Sequence, residues 1–458
     1  MTARAKLTEG PVGRQLLTLA VPMLGGTFAM TAYSLIDACF VARLGTLPLA
    51  AMSFTFPVAM FVGSITMGLG MGATAFVSRA IGQGNHAQAR QVATHGIVLG
   101  MVVVCIFTVA GYSTMDPVFR ALGATGETLP LIRRFMNIWY AGLIFSVVPM
   151  MAYNIMRATG DTLFPSLIMI LSCVLNVILA PLLIFGLAGF PRLELAGAAI
   201  ATLASQAVAS VVSLLALSRR HDLLEFARPS LGELWASWRR VLHVGIPSAA
   251  TNLLMPISAA IITRIAAGYG EATVAAIGLG GRIEMFSFLI PMALGISQVP
   301  FIGQNWGAGR LDRINLCRRY SNRFALCWGV CCAALFLLLA HRVAPLFSED
   351  TRVVEVLALY LSLVPLGYGM REVHRYVAFS FIGVARPLNA AAVDAFRVAG
   401  LVIPCACVGA WYFGLRGLFL GIVVADVASA CVALLWAQKV FGALTTESRF
   451  ALERTSAS

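Results

Sequence analysis

A run of about twenty consecutive apolar residues has one ready fate: as a helix it crosses the ~30 Å hydrocarbon core of a membrane with every backbone hydrogen bond made internally. This chain carries about a dozen such runs in 458 residues, at roughly 15–42, 48–78, 92–113, 134–156, 163–187, 196–217, 241–267, 273–302, 321–340, 353–380, 388–413 and 417–440. Each is too long and too evenly apolar for the ~10-residue alternating strands of an outer-membrane barrel. Hydrophobic residues make up 59% of the chain and charged ones only 12%, about half the charged share of an ordinary soluble domain. The predicted fold class is therefore an all-α membrane protein with twelve transmembrane helices.

Lysine and arginine collect in cytoplasmic loops, which tests the count. With both termini placed inside, 20 of the 33 basic residues fall on the cytoplasmic side, nine on the outer side and four within spans. The net charge of +13 is thus read as membrane topology, and a nucleic-acid partner is excluded. The short basic leader runs directly into the first span, so no cleaved signal peptide is expected. Nine of the ten cysteines lie in predicted spans, with Cys317 in a loop, and act as small hydrophobes. The six histidines are scattered, so neither a metal site nor any cofactor is expected.

The chain repeats itself. Shifting it by 225 residues without a gap aligns Pro22 with Pro247, Gly45 with Gly270, Met60-Phe61 with Met285-Phe286 and Gly84 with Gly309, and 16 of the 63 positions from Pro22 to Gly84 are identical. Six spans per unit is an even number, so both copies enter the membrane from one side and the repeats are parallel. The predicted organisation is an amino-terminal six-helix lobe at 1–217, a cytoplasmic connector at 218–240 and a carboxy-terminal six-helix lobe at 241–458. The connector holds Arg219, Arg220, Arg228, Arg239 and Arg240 with Trp235 and Trp238, and its part 231–240 is predicted to lie amphipathically on the membrane surface. Duplicated lobes are the usual build of secondary transporters. No nucleotide-binding motif accompanies them, so an ion gradient is the expected source of energy. Nucleophiles and bases do not recur at spacings that suit an intramembrane enzyme.

Ionisable side chains in mid-membrane are costly, about 2.5–3.5 kcal/mol each, and are candidate functional groups for that reason. In the first lobe there is one, Asp37, with no basic residue in the predicted membrane core around it. Its aligned position in the second lobe is Ile262, so the two lobes differ in ion chemistry. The second lobe instead carries Arg282 and Glu284 in span 8, Arg371, Glu372, His374 and Arg375 in span 10, Asp394 and Arg397 in span 11, and Asp426 in span 12. All nine are candidates for a substrate cavity; the alternative is a packing network of ion pairs. Asp394 and Arg397, at i and i+3, have the spacing of an intrahelical pair.

The stretches Asp37-Ala38-Cys39-Phe40-Val41-Ala42-Arg43-Leu44-Gly45, Phe301-Ile302-Gly303-Gln304-Asn305-Trp306-Gly307-Ala308-Gly309-Arg310, Arg157-Ala158-Thr159-Gly160-Asp161-Thr162 and Ala196-Gly197-Ala198-Ala199-Ile200-Ala201-Thr202, with Asn176, make the chain resemble the multidrug and toxic compound extrusion (MATE) transporters of the MOP flippase superfamily, in their DinF-type branch. The resemblance covers nearly the whole length. It implies a multi-pass protein of the bacterial inner membrane, a monomer among membrane lipids, that exports bulky and mostly cationic organic compounds in exchange for H+ or Na+ by alternating access. It further implies that Asp37 takes up the coupling ion, with Asn176 and Thr202 as polar neighbours. A second Asp that many relatives carry four residues after the Asn is Ala180 here, followed by Pro181, which favours H+ over Na+. The Glu that another branch places in span 7 has no counterpart; Arg264 is the charged residue there. Arg282, Arg371, Arg375 and Arg397 keep open an anionic cargo, as in the lipid-linked oligosaccharide flippases of the same superfamily.

Overall fold

The structure, a computed structural model, describes residues 6–124, 126–225 and 229–456, with side chains as far as residue 444. Arg4 and Arg228, together with the side chains of Arg449 and Arg454 from the basic tally, lie outside the described residues. In chain order the helices are α1 (Val12–Ala42), α2 (Thr46–Gly82), α3 (His86–Ala121), α4 (Thr128–Ala141), α5 (Leu143–Ala158), α6 (Leu163–Phe185), α7 (Leu195–Leu215), α8 (Leu231–Ala267), α9 (Glu271–Ser287), α10 (Leu289–Gly307), α11 (Leu311–Val343), α12 (Thr351–Leu363), α13 (Tyr368–Gly383), α14 (Pro387–Ala395) and α15 (Ile403–Ser456).

Nine helical stretches among the described residues are long and apolar enough to cross a membrane, and two bent pairs bring the number to eleven. The pairs are α4 with α5, bent by 50°, and α9 with α10, bent by 53°. The last stretch, Pro387–Leu444, has 58 residues, about 87 Å at 1.5 Å per residue and far more than one crossing needs. It breaks at Gly414 (φ 60°, ψ −145°), a backbone conformation open essentially to glycine alone. Its arms fold back so tightly that a Cβ on Gly409 would overlap the carbonyl of Gly417. Counting those arms separately gives the twelve spans.

The 225-residue offset recurs in the element boundaries. α2 runs 46–82 and α9 with α10 runs 271–307; α3 begins at 86 and α11 at 311; α1 ends at 42 and α8 at 267. Gly84 and Gly309, at the following turns, share φ 72°. Between matched ends the repeats diverge. α2 continues as one helix despite Pro57, whereas its counterpart breaks at Phe288 (φ −93°, ψ −1°).

Two compact units result, Met1–Lys6 with Thr18–Ala249, and Leu7–Leu17 with Ala250–Ser458. The core of the first includes Phe119, Ile132, Met136 and Met151, and that of the second Leu361, Tyr368 and Phe419. Both helices that open a repeat are divided: α1 passes from the second unit to the first after Leu17, and α8 from the first to the second after Ala249. The stretch 231–240 is continuous with α8. A hydrogen bond of 2.9 Å between Ser237 and His95 Nδ1, with the Trp238 indole donating to the His95 carbonyl at 3.0 Å, holds it against α3. Leu231 and Trp235 remain exposed.

Candidate functional site

In the first unit, small residues let three helices approach one another. A Cβ on Gly26 of α1 would lie 3.0 Å from the Met169 sulfur of α6, and one on Gly197 of α7 would lie 2.5 Å from the Leu183 carbonyl of α6. This approach brings polar groups of all three helices together. The Asn176 amide on α6 donates to Thr202 Oγ1 on α7 at 3.5 Å, Thr202 donates to its own helix at the Ala198 carbonyl at 3.0 Å, and the Tyr33 hydroxyl on α1 donates to Thr202 Oγ1 at 2.8 Å. Tyr33 is the member sequence reasoning missed.

Asp37 follows Tyr33 by one turn of α1. Its side chain is 5% exposed, and its Oδ1 atom is buried with no hydrogen-bond partner. Asn176, 1% exposed, likewise leaves Oδ1 without a partner. Next to the triad, Tyr33, Tyr153, Met169, Ser172 and Gln206 line a cavity of about 20 Å³, room for a water molecule or two. A carboxylate held from water without a counter-ion is unstable as an anion; binding a proton or a cation relieves it.

The charges of the second unit are distributed differently. Arg371 pairs with Glu284, which also accepts the Tyr360 hydroxyl at 2.7 Å. Arg397 donates to Asp426 Oδ1 from Nη2 at 2.6 Å and from Nε at 3.2 Å. Arg375 stands 3.1 Å from Glu372, and His374 Nε2 lies 2.9 Å from Asp394. Both Arg371 and Arg375 lie over the Phe288 ring, at 5.0 and 5.2 Å. The intrahelical pair expected of Asp394 and Arg397 does not form: residues 396–402 are π-helical, and the wider turn alters the i, i+3 register, so both residues find partners on other helices. Glu372, His374 and Asp426 are buried, with Glu372 and Asp426 at 0% exposure. Arg282 differs from the rest, being exposed on α9 with no ion-pair partner among the described residues. No group of three or more potential metal ligands occurs among the described residues.

The Arg157 to Thr162 motif builds a junction at the ends of α5, α6 and α7. Asp161 accepts the Phe164 backbone N–H at 3.0 Å and faces Arg220 at 3.2 Å and His221 at 3.5 Å. His221 lies just beyond the span, and its burial holds the imidazole below its ordinary value, against the opposing pull of Asp161.

Comparison with known proteins agrees with the repeat. The MatE family model matches twice, over residues 22–182 and 247–408, two segments whose starts are 225 residues apart. The FAD transporter of Shewanella oneidensis is 36% identical over 96% of this chain and 97% of its own length. The multidrug export protein MepA of Staphylococcus aureus is 24% identical over 97% of this chain and 98% of its own. Among solved structures, the Vibrio cholerae MATE transporter VcmN in its bent form superposes with a TM-score of 0.90 at 30% identity, covering 94% of this chain and 97% of that one. A MOP superfamily transporter of Pyrococcus furiosus does so with a TM-score of 0.87 at 27% identity, over 96% and 98%. The chain belongs to the MatE family of multi-pass membrane transporters for small organic substrates, and is not an enzyme.

Proposed function

We propose that the protein is a proton-coupled exporter of the bacterial inner membrane, acting as a monomer with both termini in the cytoplasm, and that Asp37 is its coupling group. The observation that carries this reading is the buried Asp37 carboxyl with an unpartnered oxygen beside the Tyr33, Thr202 and Asn176 cluster. A proton neutralises such a group by itself. Na+ needs several oxygen ligands, preferably including further carboxylates, and the first unit offers Ala180 at the position where the resemblance would place one. Loading from outside discharges Asp37, changes the balance of forces on α1 and drives release of cargo outward.

For cargo we infer a bulky aromatic compound bearing phosphate, of which FAD is the first to test. Three facts support this over the cationic class. Glu284, Glu372 and Asp426 are paired with arginines, and Asp394 lies 2.9 Å from His374, so three of the four carboxylates of this set already face a fixed positive charge. Arg282 is unpaired eleven residues into α9, about 17 Å along it, and an arginine at such depth must face water or an anion and not lipid. A relative 36% identical is named an FAD transporter. The name of MepA, a multidrug export protein at 24% identity, favours the second reading, drug export.

Purified protein in proteoliposomes, given FAD, ethidium or a lipid-phosphate analogue under a proton or a sodium gradient, separates these readings. Proton-driven FAD movement that is lost in Asp37→Asn and weakened in Arg282→Gln is the expected result. Transport of ethidium alone overturns the cargo, transport of the lipid analogue alone favours a flippase, and full activity of Asp37→Asn overturns the coupling.

A further inference from the structure

Arg313, in the first turn of α11, is 7% exposed, and every hydrogen bond its guanidinium donates among the described residues goes to a neutral acceptor. Nη1 donates to the Gly10 carbonyl at 2.8 Å; Nη2 donates to Gln15 Oε1 at 2.8 Å and to the carbonyls of Leu7 and Glu9 at 3.2 and 3.4 Å; Nε donates to Asn305 Oδ1 at 2.9 Å. Asn305, at the end of α10, donates back to the Leu7 carbonyl at 3.0 Å, and Gln304 Oε1 accepts the Leu7 N–H at 3.2 Å. A buried guanidinium that bonds to no carboxylate among the described residues is expensive, and a fork spread over four consecutive residues' worth of backbone immobilises that backbone. The segment so held is the approach to α1. Gln304 and Asn305 belong to the motif Phe301 to Arg310, whose counterparts in the first half at 79, 80 and 88 are Arg79, Ala80 and Gln88; in the first half Ala80 has no side-chain amide and Gln88 no guanidinium for such a clamp.

α1 therefore begins in one unit, tied down through Arg313, and continues from Thr18 in the other, where Pro22 and Asp37 lie. We propose that Arg313 is a positioning residue of the transport cycle. By fixing residues 7–17 it confines the response of α1 to a change at Asp37 to the segment from Thr18 onward, so that the helix does not slide as a whole. This rests on Asp37 as the coupling group.

The test compares hydrogen–deuterium exchange with Asp or Asn at position 37, each in the wild-type and Arg313→Met backgrounds. With Arg313 present, the Asp37→Asn change is expected to alter exchange in 18–42 and leave 7–17 unchanged. With Arg313→Met, amides of 7–17 exchange about tenfold faster or more, the equivalent of one lost charge-assisted hydrogen bond, and now respond to residue 37. In proteoliposomes Arg313→Met is expected to lose proton-driven FAD uptake while keeping FAD–FAD counterflow, and Arg313→Lys to fall between. Unchanged exchange in 7–17, or equal loss of driven uptake and counterflow, overturns the proposal. Should Arg313→Met not insert, Asn305→Ala removes one acceptor and one donor of the same clamp and is read by the same criteria. If Asp37→Asn alters exchange nowhere in α1, it is Asp37 as coupling group that fails, while the tenfold loosening of 7–17 still reports on the clamp.

Discussion

The Tyr33 hydroxyl donates to Thr202 Oγ1 at 2.8 Å, one turn of α1 before Asp37. It joins the helix that carries the acid to the helix that, through Thr202, also holds Asn176. Removing that hydroxyl in Tyr33→Phe leaves Thr202 its bond to the Ala198 carbonyl. The expected cost to stability is about 1 kcal/mol, with a larger effect on function: the pH midpoint of transport moves while the fold persists. Thermal unfolding in detergent and uptake measured from pH 5 to pH 8 check the two halves of this statement.

The buried pair Arg397 and Asp426 gives a sharper test of stability. Removing one partner leaves an uncompensated buried charge, which costs about 3–5 kcal/mol. Arg397→Met alone is expected to lower the unfolding temperature strongly, and the double variant Arg397→Met with Asp426→Leu to recover much of the loss. A double variant as unstable as the single one would mean that the pair contributes more than mutual neutralisation.

His221 introduces a dependence on pH. Its burial depresses the native pKa below the ordinary 6.5, so below that value the unfolded chain binds more protons than the native one, and stability falls as pH falls. The unfolding temperature is expected to decline from about pH 6.5 downward, and His221→Gln to flatten that decline. A decline of equal slope in the variant would place its origin elsewhere.

At the hairpin of Gly414, the close approach of Gly409 and Gly417 leaves no space for a side chain. Gly409→Val is expected to abolish stable insertion, and Gly409→Ala to reduce the yield of folded protein, both measured by fluorescence-detected size exclusion. Gly442, where an added Cβ meets nothing, serves as the tolerant control.

Much of the fold was legible because the bilayer constrains sequence so strongly: span length, the arginine bias and the 225-residue offset all follow from one-dimensional rules. The bends were not. Phe288 is neither glycine nor proline, and nothing local marks it as a break; the span expected at 134–156 likewise runs across the bend at Gly142. Asp37 was legible as an isolated charge in an apolar run. Tyr33 was not, since a tyrosine among apolar residues looks like packing until its hydroxyl is seen to find Thr202. The pairings of Asp394 and Arg397 went astray because spacing rules assume an α-helical turn, and the chain adopts a π-helical one at that point. Arg313 falls between the expected spans 273–302 and 321–340, one of the basic residues counted to the cytoplasmic side; its contacts with residues 7–15 depend on a return of the chain that spacing does not reveal.

The equal spacing of helix ends in the two halves bears on how such a molecule changes over time. Since 42 and 267, 46 and 271, 82 and 307, and 86 and 311 all mark the same boundaries, divergence between the copies in this region has proceeded by replacing letters without lengthening or shortening the text. One copy carries an acid where the other carries isoleucine, between helix ends that keep the same spacing. A duplicated scaffold with a fixed ruler can thus assign separate chemical duties to its halves one substitution at a time.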